Sequence, residues 1–153
     1  MESGIKGRLW LQIPYDKEES FRLRAERVND EIMDKSTAKQ KSMAFSVRIV
    51  NLYKFLTETK NEHILAKQIL RSGTSIGANL AESECAISAD DFTAKVYIAL
   101  KECAETNYWL ELLKNTDYIT QAQFDSIGAD CEELRKILSS TTKTMKEKKT
   151  TKS

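Results

Sequence analysis

Proline occurs once and glycine five times in the chain. Those are the residues that punctuate tight hairpins, and their scarcity excludes a turn-rich β-sandwich or barrel. The single histidine, His63, excludes a di-iron bundle, which needs two Glu-x-x-His motifs, and an H-E-x-x-H metalloprotease. It also leaves Ser72, Thr74 and Ser75 without a general base, so serine hydrolysis is excluded, and His63 reads as a surface residue at a helix start. The three cysteines, Cys85, Cys103 and Cys131, are odd in number and widely spaced. They fit neither a disulfide framework nor a C-x-x-C metal site, and read as small core residues of a reduced cytoplasmic protein. No apolar run approaches the roughly 18 residues of a membrane span, and the N-terminus lacks a basic-then-apolar signal pattern, so a soluble protein with no membrane role is expected. The segment GTSIG has neither the lysine nor the preceding strand of a phosphate loop, and no cofactor is expected.

What remains is helical periodicity. Residues 1–34 form an N-terminal arm, with alternating Leu9, Leu11 and Ile13 before Pro14 and a short lead-in helix carrying Phe21, Val28 and Ile32. A first strong helix, about Ser36 to Thr59, has Phe45, Ile49, Leu52 and Leu56 on one stripe and Met43, Val47 and Val50 on a second, more apolar surface than one bundle contact needs. Asn61 is placed to cap the second helix, which carries Ile64, Leu65, Ile69, Ile76 and Leu80 toward Ile87. Ser88 with Asp91 opens the third, through Phe92, Val96, Leu100, Cys103, Leu110 and Leu113. The T-x-x-Q box of Thr120 and Gln123 opens the fourth, through Phe124, Ile127, Cys131, Leu134 and Leu138. Short connections make neighbours antiparallel, so the expected fold is all-α, an up-down-up-down four-helix bundle over 35–142, followed by a basic tail over 143–153.

The stretch RSGTSIGANLAE interrupts good helix formers with two glycines. Gly73, Gly77, Ala81 and Cys85 recur every four residues, which suggests one row of small residues on a helix face. Each interior glycine costs about 1 kcal/mol relative to alanine, so close approach of a neighbouring helix is the expected compensation. Arg71, Asn79, Glu82 and Glu84 make a bilayer reading of the G-x-x-x-G spacing untenable. Pairing the second and third helices about a turn near Ser88 brings Arg71 level with Glu105, Ser75 with Lys101 and Glu102, and Asn79 with Tyr97. The expectation is a polar seam of Arg71, Ser75, Asn79, Glu82, Lys101, Glu102 and Glu105 that fixes register, with a ligand site as the alternative use of the same residues.

These residues also carry a family resemblance. KQILRSGTSIGANLAESECAISADDFTAKVYIALKECAETNYWLELL resembles the four-helix-bundle proteins encoded in intervening sequences of bacterial 23S ribosomal RNA genes. The family motif LLRSGTSIGANIAEA corresponds to Ile69 to Ser83, and DF.AK..IALKEA.ET.YWLELL to Asp91 to Leu113. The resemblance spans about Lys35 to Lys146, and is distantly shared with the accessory variability proteins of diversity-generating retroelements. It implies a homo-oligomer, commonly a pentameric ring, without catalytic activity, that binds RNA or a reverse-transcriptase partner. The retroelement proteins are strongly basic, whereas this chain has a net charge of +1.

Charge is nevertheless uneven. Residues 35 to 60 hold six Lys/Arg against one acid, 88 to 142 hold five against ten, and the tail from Lys143 adds five lysines against Glu147. Charge matching between helices plus a solvated tail accounts for this, and a polyanion surface is the functional alternative. Its candidates are Lys35, Lys39, Lys41, Arg48 and Lys54 on the first helix and Lys143, Lys146, Lys148 and Lys149 in the tail, with Trp10, Tyr15, Tyr53, Tyr108 and Trp109 as stacking surfaces. Two further function classes stay open. One is a metal-dependent, all-α nucleotide pyrophosphatase using Glu102 and Glu105 with Asp130 and Glu133. The other is a scaffold that docks a protein through the apolar LWLQI segment of the arm.

Overall fold

The computed structural model describes residues 38–151; the arm and its lead-in helix lie outside them, as does Lys35. Four helices follow one another: α1 (Ala38–Glu58), α2 (Ile64–Ser83), α3 (Ala89–Asn115) and α4 (Gln121–Thr151). No strand occurs among the described residues. Polar pairs fix the directions. The start of α1 meets the end of α2 through Lys39 and Glu84, 2.6 Å apart, and the end of α2 meets the start of α3 through Glu82 and Lys95. The end of α4 meets the start of α3 through Lys149 and Asp90, 3.0 Å apart. On α1 and α4, Lys41 pairs with Glu133 and Arg48 with Asp130, so numbering rises along one as it falls along the other. All neighbours are antiparallel, with α1 diagonal to α3.

The core is the set of heptad-like stripes expected from the sequence. Phe45, Ile49, Leu52 and Leu56 of α1, Ile69, Ile76 and Leu80 of α2, Val96, Leu110 and Leu113 of α3, and Ile127, Leu134 and Leu138 of α4 are all buried. Cys103 and Cys131 join them; Cys85 does not and is exposed. Ile64 and Ile87 are also exposed, at 76% and 95%, because they stand at the two ends of the α2 pattern, past the reach of a neighbour. The second α1 stripe, Met43, Val47 and Val50, stays on the surface. α4 continues through Lys143, Lys146, Lys148 and Lys149 to Thr151.

Three connections, residues 59–63, 84–88 and 116–120, set the helix starts. Two carry the caps expected from the sequence. Ser88 Oγ accepts from the Asp91 N–H at 3.1 Å while Asp91 Oδ2 accepts from the Ile87 N–H at 3.2 Å. Thr120 and Gln123 form the full reciprocal box: Thr120 Oγ1 accepts from the Gln123 N–H at 3.2 Å and Gln123 Oε1 accepts from the Thr120 N–H at 2.8 Å. The third corrects the sequence reading: Asn61 does not cap α2. It takes a left-handed backbone, φ 52°, which Asn tolerates better than most residues. That turn swings Glu62 under the helix, where its buried carboxylate accepts from the N–H groups of Ile64, Leu65 and Ala66 at 3.0, 3.0 and 2.7 Å. Glu62 thus satisfies three of the four donors that a helix start leaves open.

Candidate functional site

The glycines of α2 need space rather than backbone freedom, since no described glycine has positive φ. A Cβ on Gly73 would lie 2.7 Å from Ile49 Cγ1 and 2.9 Å from Cγ2, inside contact distance of a fully buried side chain. At Gly77 the nearest atoms are Ser42 Oγ at 3.2 Å and Ser46 Oγ at 3.4 Å. The close neighbour is therefore α1. Ala81, expected in the same row, is exposed. The reason is geometric: a four-residue step overshoots the 3.6-residue turn by about 40°, so two steps rotate Ala81 roughly 80° away from Gly73.

The polar residues between α2 and α3 line the margin of the bundle: Arg71, Glu82 and Lys101 are exposed, and Ser75, Asn79, Glu102 and Glu105 are half-buried. Arg71, half exposed, pairs with Glu105, and its Nη1 lies 3.5 Å from Glu102 Oε2. That second contact is an ion pair only, since the buried Oε2 accepts no hydrogen bond within the described residues. Glu105 also accepts from Trp109 Nε1 at 3.1 Å. The Arg71 hydrogen bond, then that of Trp109, hold the Glu105 carboxyl below its ordinary range. Glu82 pairs across the same interface with Lys95, a partner the sequence reading did not name. Ser75 and Asn79 do not join this network. Ser75 Oγ donates to the Arg71 carbonyl at 2.6 Å and Asn79 Nδ2 to the Ser75 carbonyl at 2.8 Å, so both close onto their own helix.

The proposed carboxylate pairs do not converge. Glu102 and Glu105 face Arg71 of α2, whereas Asp130 and Glu133 are held by Arg48 and Lys41 of α1. Among the described residues no group of three or more His, Cys, Asp or Glu side chains is placed to hold a metal ion. The buried thiols are equally committed: Cys131 donates to the Cys103 carbonyl at 3.4 Å. The Cys103 thiol is pushed far above its ordinary value by its neighbour Cys131 and by burial, which leaves it unreactive.

Three of the first-helix cations are also paired within the chain. Arg48 is 8% exposed; its Nη1 donates to the Ser126 carbonyl at 3.1 Å and to Asp130 Oδ2 at 2.6 Å, and Nη2 donates to Ser126 Oγ at 2.8 Å. It is a clamp between α1 and α4 and cannot reach a polyanion, which corrects its place among the nucleic-acid candidates. Lys39 and Lys41 have Glu84 and Glu133 as partners. Lys54 is exposed.

The lysines of α4 behave differently. Lys143, Lys146, Lys148 and Lys149 are exposed on its final turns, beside the start of α3. Between the two helices lies a cleft of about 770 Å³, walled by Ala89, Ala94, Tyr97, Met145, Lys146 and Lys148 among others. Tyr97 is 43% exposed, with Lys101 Nζ 5.2 Å and Lys146 Nζ 5.6 Å from its ring centroid. Sequence reading did not select Tyr97 as a stacking aromatic. Its signal was Lys101 four residues on, one turn along the same face, but Lys146 comes from a distant part of the chain. Of the aromatics selected, Tyr108 is 58% exposed and meets Trp109 edge to face at 5.0 Å, Tyr53 packs against the core, and Trp10 and Tyr15 lie outside the described residues.

The 23S rRNA-intervening sequence protein family matches residues 34–140. The chain belongs to that family. A crystal structure from Bacteroides thetaiotaomicron, a protein of unknown function from the S23 ribosomal protein family, is 57% identical, with a TM-score of 0.69 over 70% of this chain and 99% of that one. No curated protein matches. The 23S rRNA-intervening sequence match ends at residue 140, so the α3 wall of the cleft falls inside the family region and its α4 lysines fall beyond it. No described helix is long and apolar enough to cross a membrane.

Proposed function

We propose that the protein is a non-enzymatic, homo-oligomeric helical bundle that binds RNA, alone or within a ribonucleoprotein, in the reducing cytoplasm. The observation that carries this reading is the pairing pattern of its cations. Along α1 and α2, Lys39, Lys41, Arg48 and Arg71 are each answered by an acidic side chain, while Lys54 and Lys67 stand exposed with no aromatic ring beside them among the described residues. Lys101 and Lys146 instead lie beside an exposed aromatic ring, and form no ion pair among the described residues. Cations grouped around an accessible ring are what a strand with phosphates and bases requires.

Assembly supplies the multiplicity that a near-neutral chain needs. The α1 stripe of Met43, Val47 and Val50 and the exposed Tyr108 of α3 occupy opposite corners of the bundle. Two unlike patches suit a head-to-tail contact, which closes into a ring when the rotation per subunit allows; the family resemblance supports a pentamer. Several copies of a weak site then act on one RNA with raised effective concentration.

Filter binding to structured and single-stranded RNA across a salt series tests the reading. The expected result is a linear fall of log affinity with log salt, with a slope of about −0.7 per phosphate contacted on single strands. Absence of binding at low salt overturns it. Light scattering tests the assembly, with Val47→Glu expected to shift the native mass toward the monomer.

A further inference from the structure

We infer that the cleft between the start of α3 and the end of α4 takes an unpaired nucleotide of an RNA strand, its base against Tyr97 and its flanking phosphates on Lys101 and Lys146. This deepens the RNA-binding reading and rests on it. Three observations converge. The cleft, at about 770 Å³, lies within the range of natural small-ligand sites, and Ala89, Ala94 and Met145 give it apolar walls of the kind a base displaces water from. The Tyr97 ring is reachable at 43% exposure, and the ammonium groups of Lys101 and Lys146 stand over it, 5.2 and 5.6 Å from its centroid; a base that takes the ring face displaces these flexible side chains onto its own flanking phosphates. The acid at the cleft edge is neutralised: both carboxylate oxygens of Asp90 accept from Lys149, at 3.0 and 3.1 Å. Asp90 therefore does not repel a phosphate at full strength, and Lys146 and Lys148 leave the rim cationic.

A duplex would meet these residues differently. Its bases are stacked on one another, so it offers phosphates, 2′-hydroxyls and base edges but no free base face, and a duplex gains from the lysines without stacking on the ring. An unpaired nucleotide uses both. The site thus favours single-stranded stretches, loops or bulges, and the aromatic supplies that preference.

The test compares the full chain with Tyr97→Leu, Tyr97→Phe and Lys146→Gln on a single-stranded oligoribonucleotide carrying 2-aminopurine and on an RNA duplex of equal length. Wild type is expected to favour the single strand and to quench the 2-aminopurine emission by stacking. Tyr97→Leu should lose roughly tenfold in single-strand affinity, together with the quenching, while duplex affinity and salt slope stay at the wild-type values. Tyr97→Phe should keep both properties. Lys146→Gln, which leaves the ring in place, should flatten the single-strand salt slope by about 0.7; it carries the test if Tyr97→Leu fails to fold. The inference is overturned if Tyr97→Leu weakens strand and duplex equally, or weakens neither. It is also overturned if free nucleoside monophosphate binds as tightly as the strand, or if polyglutamate competes as well as single-stranded RNA does. RNA binding that persists in full with an unaltered Tyr97→Leu profile removes the cleft assignment and keeps the RNA-binding reading; no RNA binding by wild type removes both.

Discussion

At the scale of single residues, the three described glycines make a graded experiment. Gly73→Ala gains about 1 kcal/mol in helix propensity but drives a methyl into Ile49, 2.7 Å away, and overpacking a fully buried site costs about 1–3 kcal/mol. The variant should be less stable, seen as a lower denaturation midpoint. At Gly128 a methyl would find its nearest neighbour, Phe124 Cζ, at 4.0 Å, so nothing opposes the propensity gain and Gly128→Ala should raise the midpoint by the equivalent of roughly 0.5–1 kcal/mol. Equal effects at the two positions would refute the close-approach account of α2. Arg71 offers a second residue-scale prediction. It holds the Glu105 carboxyl below the ordinary 4.5, so the stabilisation is present at neutral pH, above the unfolded value, and fades as pH falls through the folded one. Carboxyl NMR should place the Glu105 midpoint below 4.5 in the wild type, and Arg71→Gln should move it up toward that value.

At the scale of elements, the helix starts carry the clearest difference between what the sequence displays and what the fold does. Ser88–Asp91 and Thr120–Gln123 are legible because a side-chain cap is a local pattern, complete within a few residues. Glu62 is not, since its role follows from the left-handed turn at Asn61, which the residue names do not announce. Glu62→Ala removes the acceptor for three amides and should destabilise by about 2 kcal/mol, against a few tenths for Asn61→Gly, which keeps the turn. A thermal melt of each variant separates the two assignments. The candidate site divides the same way. Tyr97 and Lys101 share one helix face and could have been found from spacing, whereas Lys146 joins them only through the α3–α4 packing. Lys39, Lys41 and Arg48 look free in the sequence because their partners, Glu84, Glu133 and Asp130, lie far along the chain.

At the scale of the molecule, ion pairs differ in worth by where they sit. Exposed pairs such as Lys39–Glu84 and Lys149–Asp90 contribute about 0–1 kcal/mol each. Arg48 is nearly buried, and its loss would leave Asp130 and the Ser126 carbonyl without their donor. Arg48→Ala should destabilise the bundle by about 3 kcal/mol and leave RNA affinity unchanged in the folded protein; a specific loss of affinity would return Arg48 to the binding surface.

The Glu62 carboxylate also gives the bundle a direction in time. Amides of a first helical turn normally exchange with solvent readily, because they have no intrahelical acceptor. Those of Ile64, Leu65 and Ala66 are bonded to a buried group, so in deuterium oxide they should exchange late. The opposite end, where Cys85 and Ile87 are exposed and α3 and α4 are tied by the exposed Lys149–Asp90 pair, should open at lower free energy. Deuterium should therefore enter from the 84–88 corner, and the cleft sits on the half of the molecule that breathes first.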